Sequence, residues 1–224
     1  MTNNSPLVYR AVRSIGVLKP RIQPQQGRVF ADSLDVRGTA FWLKEQKVLI
    51  TCAHVVDNLL GAPLEVSGLL VVGNKGEYIR ATMGVIDFEH DLALLELPLD
   101  TPSEVMERES QSGLGLADQY PDVGKGVGYA GFPLGLQLLN STQEPSYAEG
   151  VVSAQIRHKP NRKEIQISGT VIGGYSGAPI VSLENPDKII GILSNSPSKE
   201  AGSAGIFMAV SFEHIRALAL LARS

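Results

Sequence analysis

The sequence predicts an all-β protein: two sets of about six antiparallel strands, each closed into a barrel, followed by one C-terminal helix. Three observations carry this. Apolar residues fall in short runs rich in Val and Ile, bounded by Gly, Pro, Asn or Asp. The chain holds 23 Gly and 13 Pro without any repeat, the composition of a turn-rich fold. No alternation of strand and helix patterns appears, which argues against a parallel α/β sheet. A length of 224 residues accommodates two small barrels.

In chain order the first set of strands is Ser14–Leu18, Thr39–Leu43, Val48–Thr51, Leu69–Val72, Ile79–Asp87 and Leu92–Glu96. The stretch Asp100–Gly115 (DTPSEVMERESQSGLG) is polar and poor in β-formers, and reads as a linker. It divides the chain into an N-terminal barrel with linker, residues 1–112, and a C-terminal barrel with helix, residues 113–224. The second set is Gly126–Gly131, Ala148–Ile156, Ile165–Ser168, Pro179–Val181, Ile189–Ser194 and Ile206–Ala209. The terminal helix is capped by Ser211, has Glu213 in its first turn, and aligns Phe212, Ile215, Leu218, Ala219 and Ala222 on one face. That face is expected to pack on the second barrel.

Bulk properties narrow the function. The net charge is −3 with mixed signs, and no basic block marks a nucleic-acid partner. No run approaches the ~20 apolar residues of a membrane-spanning helix, and the first residues lack a signal-peptide core. Cys52 is the single cysteine, so no intramolecular disulfide forms, and a reducing, cytoplasmic setting is expected. No cofactor or metal motif is expected. The glycine-rich stretch near residue 173 lacks the Lys-Ser/Thr ending of a phosphate-binding loop.

Three motifs bear chemistry. In Thr51-Cys52-Ala53-His54-Val55-Val56, a histidine stands at the end of an apolar strand, where it can enter a cleft. In His90-Asp91-Leu92-Ala93-Leu94-Leu95-Glu96, an acid opens an apolar strand; a carboxylate there needs hydrogen-bond donors, and an imidazole N–H is one. In Gly173-Gly174-Tyr175-Ser176-Gly177-Ala178-Pro179, glycines let the backbone turn sharply around a serine. Such a turn can aim the Gly174 and Ser176 N–H groups at one point, forming an oxyanion hole. Singly, each motif has an ordinary reading: a half-buried histidine, a turn acid, a hairpin loop. Together they supply what a weak serine nucleophile requires, a base and an anion that orients the base. His90, His158 and His214 read as turn residues in polar surroundings.

The segments GTAFWL…VLITCAHVV, HDLALLEL and GGYSGAPIV resemble the His, Asp and Ser motifs of trypsin-like serine proteases, most of all the bacterial high-temperature-requirement (Deg/HtrA) type and other bacterial trypsin-like peptidases. Val127–Gly135, Glu149–Ala154, Ile189–Ile192 and Gly205–Val210 resemble strands of their second barrel. The likeness runs from about Gly38 to Ile215. It implies the chymotrypsin-like fold of two six-stranded antiparallel Greek-key barrels, and a serine endopeptidase with catalytic His54, Asp91 and Ser176, an oxyanion hole at Gly174 and Ser176, and a protein or peptide substrate. It also places Thr170 near the base of the specificity pocket, Ser194, Asn195 and Ser196 on one wall, and Gly205 on the other. Ser194 would hydrogen-bond Asp91, as its counterpart does in trypsins. With Thr170 rather than an acid at the base, Arg and Lys are not the expected substrate residues; a neutral or apolar side chain is.

The chain departs from the pattern at three points. Tyr175 stands where digestive trypsins have an Asp that pairs with a new N-terminus, so no zymogen switch of that kind is expected. Ala178 replaces a usual Gly. No PDZ domain is expected after the second barrel, so cage assembly is not carried over. Two other readings stay open: a catalytically silent binding module of the same fold, and a regulated protease dedicated to one partner protein in bacterial stress or defence.

Overall fold

Strand-length runs of β-branched residues need partners for both their backbone groups and their apolar faces. In the computed structural model they obtain both by closing into barrels. The structure describes residues 6–22, 29–60, 69–72, 78–133, 144–159, 161–195 and 205–221.

A short helix α1 (Leu7–Ala11) leads into β1 (Val12–Ile22), β2 (Val29–Leu43) and β3 (Val48–Thr51). Helix α2 (Ala53–Leu60) follows, then β4 (Leu69–Val72), β5 (Tyr78–Asp87) and β6 (Leu92–Glu96). These strands form a closed barrel in the order β1-β2-β3-β6-β5-β4. Phe41 lies opposite Ile50, Leu49 opposite Leu95 and Thr51 opposite Ala93. Val48–Thr51 and Leu92–Leu95 are buried at every residue; their strands are central to the barrel, and α2 packs against β6. That is why they read as continuous apolar runs rather than alternating ones.

The chain crosses through helix α3 (Ser103–Ser110) and the two-residue strand β7 (Gly115–Leu116). Leu114 N–H donates to Trp42 O, and Gly115 N–H to Asp187 O, so the crossing is tied to both halves. The second set is β8 (Gly126–Gly131), β9 (Ser146–Lys159), β10 (Arg162–Gly169), β11 (Pro179–Ser182), β12 (Lys188–Asn195) and β13 (Ile206–Ser211). Because β11 pairs with both β8 and β12, this sheet also closes on itself. Its order, β8-β9-β10-β13-β12-β11, repeats that of the first barrel strand for strand. The fold class expected from the sequence is therefore observed. Two pairings at the crossing depart from the antiparallel rule: β7 runs parallel to β12, and Leu114 makes an isolated parallel bridge to Leu43.

Helix α4 (Phe212–Leu221) ends the described chain. The Ser211 hydroxyl accepts from Glu213 N–H at 3.2 Å, the expected cap. Phe212, Ile215, Leu218 and Ala219 are buried as expected; Ala222 lies outside the described residues.

Four expectations need correction. Helix α4 contacts β5 and β6 as well as β12 and β13, and Ile215, Leu218 and Ala219 join the first barrel's core. It covers the seam between the barrels instead of packing on the second alone. Half of the Asp100–Gly115 linker is helical, Ser103–Ser110, with Pro102 at the N-cap and Glu104 in the first turn. His54 is the second residue of α2 rather than a strand end. His158 belongs to β9, not to a turn. No helix among the described residues is long and apolar enough to cross a membrane.

Candidate active site

Strand β3 delivers Cys52 and His54 to the seam between the barrels, and the β5–β6 turn delivers Asp91. The His54 ring Nδ1 lies 2.8 Å from Asp91 Oδ2 and 3.0 Å from Oδ1, while His54 backbone N–H donates to Oδ1 at 2.9 Å. Ser194 of β12 donates its hydroxyl to Oδ2 at 2.5 Å. Asp91 thus receives donors from both barrels, and its side chain is 13% exposed. Its φ of 57° lies in the left-handed region, which Asp tolerates better than most residues and which clusters at functional sites. Burial works to raise the Asp91 carboxyl. Hydrogen bonds from the His54 ring, the Ser194 hydroxyl and the His54 N–H outweigh it and hold the group below the ordinary value.

The Ser176 loop is fixed by a residue the sequence reading did not single out. Thr39, fully buried in β2, donates its N–H to Ser176 O and its hydroxyl to Gly174 O, each at 2.9 Å. The same hydroxyl accepts from Phe132 N–H at 3.1 Å, and Thr39 O accepts from the Thr51 hydroxyl at 2.7 Å. A polar residue inside the apolar run GTAFWL was the available signal. Gly177 completes the turn: its N–H donates to Leu193 O at 2.8 Å. Its φ is +88°, and a Cβ there would lie 1.9 Å from Thr39 O, so only glycine fits. Gly174 also has a positive φ, 101°. Among the described residues, neither Gly174 nor Ser176 N–H donates to a backbone carbonyl.

Tyr175 turns into the second barrel's core, 5% exposed, in edge-to-face contact with Tyr129 at 5.6 Å. Burial and aromatic packing therefore hold the loop where a digestive trypsin uses an ion pair. Tyr129 reaches further. Its hydroxyl donates to Thr170 O at 2.8 Å and accepts Thr170 N–H at 3.1 Å. Burial, opposed by that backbone bond, pushes its hydroxyl up to about 12.

Thr170 itself is exposed at the end of β10. Gly205 sits across from it with φ +90°, its carbonyl accepting from Gly169 N–H at 2.8 Å. Asn195 ends β12; its side chain, and all of Ser196, lie outside the described residues. A cavity of about 70 Å³ opens beside Ser176 and Ser194, walled by Val171, Ile172, Leu193 and Phe207. A larger hollow of about 510 Å³ lies elsewhere, around Asp118, Lys125 and Glu184. It contains none of these groups, and its size is no guide to the chemistry.

Cys52 lies within 4.8 Å of His54 and Asp91 donor atoms but is fully buried, its thiol donating to Leu193 O at 3.1 Å. Burial and the nearby Asp91 push the thiol well up, so it stays protonated and is a poor nucleophile or metal ligand.

His90 stands in the β5–β6 turn as expected, whereas His214, expected in a turn, lies on α4. Their rings stack, centroids 3.9 Å apart, across the barrel seam.

The family model of the trypsin-like peptidase domain matches residues 38–192. No curated protein gives a significant sequence match. Among solved structures, the HtrA-type protease AlgW with a decapeptide aligns with a TM-score of 0.70 at 20% identity, covering 96% of this chain and 65% of that one. The Rv3671c protease from M. tuberculosis aligns in its active form at 0.66 and 19% identity, covering 98% and 85%. A mutant of the same protease in its inactive form aligns at 0.65 and 17%, covering 98% and 91%. At these identities the likeness establishes the two-barrel fold.

Proposed function

This chain belongs to the trypsin-like peptidase family, a family of serine-protease hydrolases, and from that premise we propose that it is an endopeptidase with Ser176 as nucleophile, His54 as base and Asp91 as the orienting carboxylate. The observation that carries the reading is the double hydrogen bond between Asp91 and His54 Nδ1, at 2.8 and 3.0 Å. It fixes the tautomer with the proton on Nδ1 and leaves Nε2 as the basic nitrogen. His54 takes the Ser176 hydroxyl proton as Oγ attacks the scissile carbonyl carbon. The Gly174 and Ser176 N–H groups, which among the described residues donate to no backbone carbonyl, stabilise the oxyanion. His54 then passes the proton to the leaving amine, giving an acyl-enzyme that water hydrolyses.

The wall strand β12, ending in Ser194-Asn195, offers backbone to an extended peptide. The cavity of about 70 Å³, walled by aliphatic side chains and Phe207, suits a small neutral side chain before the scissile bond and has no acid for Arg or Lys. Ser176→Ala should lower peptide turnover by a factor on the order of 10⁶. Unchanged cleavage by that variant would remove Ser176 from the mechanism.

A further inference from the structure

Beside the proposed site, four elements meet at two histidines. His90 lies in the β5–β6 turn, immediately before Asp91. Its Nδ1 is 2.6 Å from Asp87 Oδ2, and its Nε2 is 3.0 Å from the carbonyl oxygen of Asn161 in the β9–β10 turn. Both ring nitrogens face acceptors, and satisfying both at once takes a proton on each. His214, on α4, has the opposite pattern: its Nε2 accepts the Lys163 N–H of β10 at 3.0 Å. That nitrogen carries no proton, so His214 is neutral. The rings stack at 3.9 Å between centroids, 21° apart. The stack joins the first barrel to α4.

We propose that this His90–His214 stack is a singly protonated clasp that positions Asp91, and that a second proton on the pair opens it and lowers activity. The proposal rests on Asp91 being the orienting carboxylate. The clasp acts through the turn. Asp87 also accepts His90 N–H at 3.1 Å, closing the turn on itself, and Asn161 and His214 anchor its far side. Asp91 follows directly, in its left-handed conformation. Releasing the His90 ring frees the peptide that sets this conformation, and with it the Asp91–His54 geometry. A second proton does two things at His214. It places two positive rings in stacking contact, and it abolishes the acceptor for Lys163 N–H. The other charges facing the pair are Asp87 from β5, Glu213 from α4 and Lys163 from β10, the last two bonded to each other. Arg162 of β10 also reaches the turn, donating to Glu89 O at 2.9 Å while it pairs with Glu164. The acids at the cluster are thus engaged by the first charge and by Lys163 and Arg162. Burial, followed by the neighbouring His90, lowers the His214 pKa, in keeping with a ring that resists the second proton.

His90 and His214 are positioning residues on this view, and the test reads protons. His214→Gln keeps an acceptor for Lys163 N–H but cannot take a charge. The acid limb of kcat/KM should steepen toward about 100-fold per pH unit in the parent protein and stay near about tenfold in H214Q, since one of two protons is removed. Equal limbs in both would overturn the clasp. A readout independent of activity is thermal unfolding of the Ser176→Ala protein with and without H214Q. The parent should lose more melting temperature between pH 7 and 5, and equal losses would contradict the proposal. This readout also survives a failure of the protease assignment itself. Should H214Q not fold, histidine NMR of the Ser176→Ala protein decides: a neutral His214 with an unprotonated Nε2 at pH 7 is expected, and a charged His214 there overturns it.

Discussion

Among individual residues, Asp91 is the most constrained. It accepts from His54 twice and from Ser194 once, in a backbone conformation few residues adopt. Asp91→Asn keeps the shape but can present an N–H to His54, favouring the wrong tautomer. The expected result is a fall in kcat on the order of 10³–10⁴ with KM little changed, measured on a peptide substrate. The residues at this scale were legible to different degrees. His54, Asp91 and Ser176 each stand in a short local pattern, so the sequence exposes them. Thr39 and the His90–His214 stack have no local pattern, because their roles arise from residues distant in the chain that folding brings together. Ser194 was reachable only through the family resemblance, since one serine in an apolar strand carries no signal of its own.

For the elements, the nucleophile loop is a turn hung from β2. Thr39→Val keeps volume but removes the hydroxyl that binds both Gly174 O and Phe132 N–H. Leaving such buried groups unmet costs about 1–3 kcal/mol. Stability should drop by that order, and reaction with an active-site acylating probe should slow about tenfold or more while peptide KM changes less. A second link joins β1 to α3. Arg13 donates to Glu109 Oε2 at 2.8 Å and to Glu109 O at 3.2 Å, with both side chains buried. Arg13→Met should destabilise by up to about 3 kcal/mol, because the buried Glu109 carboxylate loses the Arg13 donor and keeps Arg108 Nε at 3.1 Å, and adding Glu109→Leu should recover part of that loss, as denaturant unfolding would measure. Strands were legible because β-branched runs between turn residues have few other folds. Helix α3 was missed although Pro102, Glu104 and Arg108 are start and stop signals; its polarity outweighed them. Helix α2 was missed because Val55 and Val56 mimic the strand they follow.

Taken as a whole, the molecule is two barrels of one strand order, joined by side chains that titrate. Asp91 and Asp87 are both held below the ordinary carboxylate value: at each, burial raises the group and hydrogen bonds, chiefly from His54 and His90 respectively, outweigh it. Their stabilisation is present above about pH 3.9 and is lost as pH falls through the depressed values. His214 is also depressed, so its loss begins earlier, as pH falls below about 6.5. At the alkaline end, burial raises the Tyr129 hydroxyl to about 12, so its contribution fades as pH climbs from about 10 toward that value. Burial also pushes the Cys52 thiol up, so its contribution fades as pH climbs past about 8.5; melting temperature against pH should therefore form a plateau between about 7 and 8.5, and a protein equally stable at pH 5 and pH 8 would contradict this assignment of groups. The repeated strand order was invisible in the sequence, because the two halves share topology without any repeated motif. The central claim, that Ser176 is an activated nucleophile, is tested most directly by a fluorophosphonate and intact-protein mass spectrometry. One phosphonyl adduct at Ser176, absent after Ser176→Ala and nearly absent after Asp91→Asn, is the expected result. A folded protein that stays unlabelled, or is labelled as well without Ser176, would contradict it.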